Sequence, residues 1–122
     1  MTVAQAVTFV QRIKEQTGKY PGLYCGEYRL AQMMRGANAR QRAMLSNCWL
    51  WIANYHFQPR NTAPWSDWRL WQYTGDGKCD LVPRSSFPKS VANMRKAERN
   101  IFNGDNTALE LFWRTNAWYP GG

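Results

Sequence analysis

Aromatic and amide side chains stand near the ends of several short apolar runs, where strand ends are expected. The residues at these positions are Tyr24, Tyr55 with His56, Gln72 with Tyr73, and Glu98 with Asn100. Aromatic rings can stack on the flat faces of sugar rings, and amides can exchange hydrogen bonds with sugar hydroxyls. Together with one carboxylate, these side chains predict a carbohydrate site built by neighbouring strand ends.

Catalysis at such a site needs more than one carboxylate, because a glycosidase places two carboxyl groups across the bond that it cleaves. The chain has 8 Asp and Glu residues, of which Glu98 alone is predicted to lie in a strand. The others fall on predicted helices or in loops, so the residues by themselves define no acid and base pair. His56 has no Ser or Cys near it in a triad arrangement, and the sequence contains no glycine-rich phosphate loop.

The three cysteines and one histidine do not have the spacing of a zinc site. An odd number of cysteines also cannot form a complete disulfide framework. Cys25 and Cys48 lie at the edges of apolar runs and are predicted to be small buried residues. We therefore predict no metal and no cofactor.

Four strands are predicted to position the site residues. They span residues 23–25, 48–53, 69–74 and 98–102. The second run is apolar throughout, which predicts a strand buried on both faces, as in parallel sheets that helices cover. In a parallel sheet, sites form where the strands end.

Five of the seven tryptophans lie within residues 49–77. Tryptophan is unfavourable in water, so this excess indicates either core packing or a surface that stacks flat ligands. We expect core packing for at least two of Trp49, Trp51 and Trp71.

Helices are predicted between the strands. Thr2 and Gln5 fit a capping box that opens the first helix, and Gly18 fits its left-handed end. Thr107 and Glu110 predict a second capping box for the last helix. The apolar face of that last helix is predicted to hold Leu109, Phe112 and Trp113. Two further helices are predicted at residues 27–35 and 39–45. Alternating strands and helices predict an α/β fold with a parallel sheet.

The chain is basic, with 16 Lys and Arg against 8 Asp and Glu and a formal net charge of +8. Such a surface favours polyanions, including nucleic acid, anionic lipid and anionic cell walls. The basic residues are scattered, with loose clusters at residues 35–42 and 84–99, which is typical of a solvated surface. Because no nucleic-acid motif or basic stripe is present, we predict no nucleic-acid partner.

The length of 122 residues allows one domain. No apolar run reaches the length of a membrane span, and residues 1–5 lack the pattern of a signal peptide. The sequence as given is therefore expected to have no membrane span and to be cytoplasmic.

Several motifs of the sequence are similar to those of one known family. They are Leu50-Trp51-Ile52-Ala53-Asn54-Tyr55, then Pro59, then Trp68 with Leu70-Trp71-Gln72-Tyr73-Thr74, together with Thr17-Gly18-Lys19-Tyr20-Pro21-Gly22-Leu23-Tyr24 and Glu98-Arg99-Asn100-Ile101-Phe102-Asn103-Gly104. In this order, over nearly the whole chain, they resemble the C-terminal half of glycoside hydrolase family 25. This family comprises lysozymes (muramidases) of bacteria and phages, including endolysins.

The resemblance implies a fold and an activity. Family members are TIM-like (β/α) barrels that hydrolyse the bond between N-acetylmuramic acid and N-acetylglucosamine in peptidoglycan. This hydrolysis leads to lysis of the cell wall. By this resemblance, residues 1–115 form the C-terminal half of such a catalytic domain, with four mostly parallel strands and flanking helices. Residues 116–122 are expected to be a flexible tail.

The resemblance also implies site residues. The family takes its acids from the first strand, from an Asp-x-Glu after the fourth strand, and from an Asp on the last strand. The last of these aligns with Glu98, one methylene longer, which is the predicted catalytic residue. The expected substrate-binding residues are Tyr24, Trp51, Tyr55, Trp71, Gln72, Tyr73 and Asn100. Because the other acids have no counterpart in this sequence, the chain is predicted to be inactive alone.

A half barrel would leave two unpaired sheet edges, at the strands of Leu23 and Glu98. The predicted partners are therefore peptidoglycan and either a missing N-terminal half or a second copy of the chain. The alternative is a non-catalytic module that binds peptidoglycan or another sugar polymer. That module would use Tyr24, Tyr55, Trp71, Gln72 and Asn100.

Overall fold

The computed structural model describes residues 1–75 and 98–121 as helices and strands joined by short loops. In chain order the elements are α1 (Val3–Thr17), β1 (Gly22–Gly26), α2 (Glu27–Gly36), α3 (Ala39–Leu45), β2 (Trp49–Ala53), β3 (Leu70–Thr74), β4 (Arg99–Phe102) and α4 (Asn106–Asn116). The predicted order of helices and strands is therefore confirmed. Outside the described residues lie Asp76, Cys79, Asp80 and most of the basic cluster at residues 84–99.

Helix α1 begins and ends where its sequence signals place it. The Thr2 hydroxyl accepts a 3.1 Å hydrogen bond from the Gln5 amide, and the Gln5 side chain accepts a 2.8 Å bond from the Thr2 amide. Gly18 has a left-handed φ of 73°, which glycine adopts readily because it has no Cβ. Ala6 and Val10 are buried, so one stripe of α1 packs on the core.

Two helix starts differ from the prediction. Asn38 and Gln41 form a capping box at α3 that was not predicted, with bonds of 2.9 and 2.8 Å. At α4 the predicted box at Thr107 is wrong. The N-cap is Asp105, whose carboxylate accepts a 2.8 Å bond from the Ala108 amide. Asp105 lies three residues before that amide, which is the reach of an N-cap side chain, whereas Thr107 already lies in the first turn.

The four strands form one sheet in the order β1–β2–β3–β4. Strands β1, β2 and β3 are parallel, with Tyr24 opposite Trp51 and Ala53 opposite Gln72. Strand β4 runs antiparallel to β3, with Gln72 opposite Asn100. The fold is thus α/β with a mostly parallel sheet. The amino end of β4 therefore lies at the same end of the sheet as the carboxyl ends of the three parallel strands.

Helices α1, α2 and α3 pack on one face of the sheet and form the core with it. Buried core residues of these helices and strands are Ala6, Val10, Cys25, Leu30, Met34, Leu45, Leu50, Ile52, Trp71 and Tyr73. Within β2, Leu50 and Ile52 are buried, whereas Trp49 and Trp51 are only half-buried. The prediction that β2 is buried on both faces is therefore wrong, because its alternate side chains point to a second face that is only partly covered.

Helix α4 covers one end of this second face. The Phe112 ring packs against the rings of Trp49 and Phe102, with centroids 5.1 and 5.3 Å apart. Leu109 and Trp113, which were predicted to share the apolar side of α4, are exposed. Among the described helices, none covers the other end of the second face, where the parallel strands finish.

The loop between β2 and β3 contributes two tryptophans to the core. Trp65 and Trp68 are buried, and the Trp65 indole N–H donates a 2.8 Å bond to the Cys48 carbonyl. Trp71 is also buried, whereas Trp49 and Trp51 stand on the second face. The tryptophan-rich stretch therefore contributes both to the core and to an accessible surface.

Residues just after α4 are joined to the rest of the fold. The Ala117 amide donates a 2.8 Å bond to the Trp113 carbonyl, and the Lys19 ammonium donates to the Ala117 carbonyl. The predicted boundary between residues 115 and 116 falls inside α4, which continues to Asn116. Among the described helices, none has the length and apolar character needed to cross a membrane.

Candidate functional site

Gln72 lies at the centre of the open part of the second face. Its carboxamide oxygen accepts a 2.5 Å hydrogen bond from the Tyr24 hydroxyl and a 2.9 Å bond from the Tyr55 hydroxyl. Gln72 is only 2% exposed, whereas Tyr24 is 52% exposed. A buried amide thus holds two phenols in place, one of which reaches solvent.

A second pair of side chains continues this surface. The Trp51 indole N–H donates a 2.7 Å bond to the Asn100 side-chain oxygen. The Trp51 ring also meets the Tyr24 ring edge to face, with centroids 4.9 Å apart. The aromatic–amide cluster, as we call it, consists of Tyr24, Trp51, Tyr55, Gln72 and Asn100.

The sheet register explains why these residues meet. Tyr24 is paired with Trp51 across β1 and β2, and Gln72 is paired with Asn100 across β3 and β4. Paired residues of neighbouring strands point to the same face. The cluster therefore follows from four strand positions rather than from a single sequence motif.

Tyr55 comes from the loop after β2, and Asn54 fixes the start of that loop. The Asn54 amide donates a 3.1 Å bond to the Gln72 carbonyl, and its carbonyl accepts a 2.8 Å bond from the Trp71 indole. Gly75 leaves room for Tyr55, since a Cβ at Gly75 would stand 2.5 Å from the Tyr55 hydroxyl oxygen. A glycine after β3 is thus needed for the phenol to reach Gln72.

Glu27, at the start of α2, holds the rest of the same loop. Its carboxylate accepts bonds of 2.7 Å from the Asn54 side chain, 3.0 Å from the Arg60 amide and 2.8 Å from the Asn61 amide. From its sequence position Glu27 was expected only to begin a helix, and this role was not predicted. The observable signal was a carboxylate directly after Gly26, where a strand gives way to a helix.

Glu98, the predicted catalytic residue, is exposed and precedes β4 instead of lying within it. A bulge in β3 places Arg99, the first residue of β4, opposite Thr74. The pairing between the two strands does not extend to Glu98. Because β4 is antiparallel to β3, Glu98 lies at the end of the sheet where the parallel strands finish, beside the cluster. The prediction that Glu98 lies in a strand is wrong. Glu98 does lie at the predicted end of the sheet, where the parallel strands finish.

The other described carboxylates are engaged or distant. Glu27 is bound by three donors, as above. Asp67 and Asp105 lie at the opposite end of the strands, where each accepts a hydrogen bond from a backbone amide. Glu15 and Glu110 lie on α1 and α4. Within residues 1–75 and 98–121, no second carboxylate is therefore available beside Glu98 to complete an acid and base pair.

Trp71 and Tyr73 do not join the cluster, although both were expected to bind substrate. They alternate with Gln72 along β3, so they point to the helix-covered face, and they are 1% and 2% exposed. Their rings pack on each other with centroids 6.0 Å apart. A ligand on the open face could not touch either side chain. Trp51, Tyr24, Tyr55, Gln72 and Asn100 are the expected residues that the structure brings together.

The described cysteines do not add reactive groups. Burial raises the pKa of the Cys48 thiol to about 11. Burial also raises the pKa of the Cys25 thiol, against the opposing charge of Arg29. Both thiols are therefore protonated and unreactive at neutral pH, as expected for buried structural cysteines. Within the part of the chain that the structure describes, no group of three His, Cys, Asp or Glu residues is placed to hold a metal. His56 is exposed in the loop after β2.

Comparisons with known proteins bear on the fold and the family of the chain. A solved structure, that of a muramidase from Acremonium alcalophilum, is similar with a TM-score of 0.59 and 21% identity over 89% of this chain. The chain spans 45% of that muramidase, and at this identity the likeness shows a shared fold. The comparison with curated proteins gave no match. The model of glycosyl hydrolases family 25 matches residues 1–81, well over half of the sequence. This chain therefore belongs to glycosyl hydrolase family 25.

Proposed function

We propose that the chain is part of a lysozyme-type glycoside hydrolase that acts on the glycan of peptidoglycan. The bond that the complete enzyme hydrolyses would be that between N-acetylmuramic acid and N-acetylglucosamine. The aromatic–amide cluster is the proposed sugar-binding surface, and the cell wall is the proposed site of action. Support comes from the family, from the muramidase-like fold and from the chemistry of the cluster.

The observation that carries the proposal is the double acceptance by Gln72 of the Tyr24 and Tyr55 hydroxyls. This bridge fixes two aromatic rings beside amides at the ends of parallel strands, where ligands of α/β folds bind. Rings that are held in place can stack on sugars with little loss of side-chain entropy.

The four strands are proposed to be the C-terminal half of a (β/α) barrel, with the second face turned to its interior. In the described part of the sheet, β1 and β4 each pair on one side only. A preceding or separate N-terminal half would cover these edges and supply the acids that work with Glu98. Pairing of two copies of the chain is the other way to cover them, and light scattering separates the two arrangements.

Binding and hydrolysis by the isolated chain are tested separately. We expect the purified chain to sediment with insoluble peptidoglycan. Tyr24→Ala should reduce the bound fraction several-fold, while Phe9→Ala, which removes an equally exposed ring from α1, should leave it unchanged. No new reducing ends should appear. A failure of the wild-type chain to bind peptidoglycan would overturn the proposal.

A non-catalytic wall-binding module is the second candidate. The observation in its favour is that Glu98 stands without a second available carboxylate among the described residues, while internal hydrogen bonds hold the aromatic–amide cluster together. The two candidates differ in the completed domain. Joined to the N-terminal half of a family 25 enzyme, a hydrolase half should release reducing sugars and lose that activity in Glu98→Gln. A binding module should release none.

A further inference from the structure

A groove adjoins the aromatic–amide cluster on the side of helix α2. It has a volume of about 710 Å³ and lies between α2 and the loop after β2. The residues that characterise it are Tyr24, Tyr28, Arg29, Arg35, Tyr55 and Phe57. We call it the cationic groove. Tyr24 and Tyr55 belong to both surfaces, so a ligand chain could pass from one to the other.

Exposed aromatic rings form the apolar part of the groove. Tyr28 is 75% exposed, and its hydroxyl accepts a 3.2 Å bond from Gln32 one turn later on α2. Phe57 is also exposed, and the Arg60 guanidinium lies 4.2 Å from its ring centroid. Solvent-exposed rings in a concave surface are unfavourable unless a ligand covers them, and flat sugar rings suit such walls.

Positive charge is the second property of the groove. Arg29 and Arg35 line it, both are exposed, and neither forms an ion pair within residues 1–75 and 98–121. Among the described lining residues the one carboxylate is Glu27, which is 9% exposed and already accepts three hydrogen bonds. These neutral donors stabilise its negative charge without cancelling it, and the two arginines still outnumber it, so the described lining is net positive and attracts anions.

We propose that the cationic groove binds carboxylates carried by a glycan strand whose sugars occupy the adjacent aromatic–amide cluster. This rests on the proposed function, because it extends the same sugar site. A guanidinium binds a carboxylate through two parallel hydrogen bonds, which a neutral sugar cannot offer. The carboxylates could stand on sugar substituents or on peptides attached to the strand.

Calorimetric measurement of binding to three soluble probes tests the proposal. They are a neutral oligomer of N-acetylglucosamine, a peptide-free muramyl oligosaccharide with free lactyl carboxylates, and the same oligosaccharide with its peptides attached. We expect at least one acidic probe to bind about tenfold tighter than the neutral one, as for charge-assisted hydrogen bonds. A gain with the peptide-free probe assigns the sugar substituent, and a gain confined to the peptide-bearing probe assigns the peptide.

Matched variants separate a site from the general charge of the protein. Arg29→Gln with Arg35→Gln should abolish the preference for acidic probes, and Arg29→Lys with Arg35→Lys should largely retain it. Arg12→Gln with Arg40→Gln removes the same charge from exposed positions elsewhere and should preserve the preference. Added salt should weaken the acidic probes alone.

Three outcomes would overturn the inference. They are equal binding of neutral and acidic probes, a preference that survives the loss of both groove arginines, and an equal loss in the Arg12 and Arg40 control. In each case binding of the neutral probe leaves the proposed function standing. If none of the probes binds, both proposals fail together.

Discussion

The Tyr24 hydroxyl donates a 2.5 Å hydrogen bond to the Gln72 side chain, although β2 lies between their strands. This bond crosses the open face of the sheet and links its edge strand to β3. Tyr55 shares the same acceptor from the loop after β2. One buried amide therefore sets the positions of both rings that begin the proposed sugar site.

The bond between Tyr24 and Gln72 should be visible as a non-additive stability effect. Gln72→Leu keeps the side-chain size but removes the acceptor, and we expect a loss of about 1–2 kcal/mol of unfolding free energy. Tyr24→Phe should cost about 0.5–1 kcal/mol, since its ring is half exposed and water can replace the lost partner. Combining the two should add little to the Gln72→Leu loss, because both changes break the same bond. Urea unfolding of the four proteins measures this, and fully additive losses would contradict it.

Glu27 should matter more for the loop than for α2. One carboxylate oxygen of Glu27 accepts both backbone amides and the other accepts the Asn54 side chain. In Glu27→Gln one of these oxygens becomes an NH2 donor that faces another donor, so we expect a loss of about 1–3 kcal/mol. Hydrogen exchange at the Arg60 and Asn61 amides should accelerate more than exchange within α2. Glu15→Gln, an exposed change on α1, is the matched control and should alter stability by less than about 0.5 kcal/mol. Unchanged exchange at the two loop amides would show that the loop is held by other contacts.

Gly75 should be intolerant of any side chain. An added Cβ would lie 2.5 Å from the Tyr55 hydroxyl oxygen, so in Gly75→Ala the phenol must move away from Gln72. We expect about 1–3 kcal/mol of destabilisation, as for overpacking, together with several-fold weaker binding to peptidoglycan. Gly36→Ala, at the end of α2 with no atom near its added Cβ, should instead be neutral or stabilising by about 0.5–1 kcal/mol. Equal behaviour of the two variants would contradict the close contact at Gly75.

Strand and helix identity could be predicted from local patterns because each depends on neighbouring residues. The first capping box and the left-handed glycine of α1 are such local signals. Partner choice was harder, since the reversal of β4 depends on packing between distant segments. That reversal, and the bulge beside Thr74, decided where Glu98 stands.

The candidate site was partly predictable for the same reason. Tyr24, Trp51, Gln72 and Asn100 were expected together, and the alternation of a strand puts Gln72 on one face and Trp71 and Tyr73 on the other. Short apolar runs do not reveal which face is covered, so these two aromatic residues were assigned to the wrong side. Glu27 escaped notice because its three donors come from a loop more than twenty residues later in the chain.

The buried thiol of Cys48 gives a prediction on pH. Its pKa is raised from an ordinary value of 9.0 to about 11 because the thiolate is poorly solvated in the core. The unfolded chain therefore releases this proton at lower pH than the folded chain does. The contribution of the neutral thiol to stability is complete below pH 9 and is lost as the pH rises towards 11.

We expect two measurements to show this effect. In a Cys79→Ser background, the thiols of Cys25 and Cys48 should resist a thiol reagent in the folded protein and react at once in guanidinium chloride. Replacing Cys48 by Ala should also flatten the fall of unfolding free energy between pH 9 and 11 relative to the parent, because the alanine side chain has no proton to lose. Rapid labelling of Cys48 in the folded protein, at a rate above that of global unfolding, would show that the core around β2 opens locally.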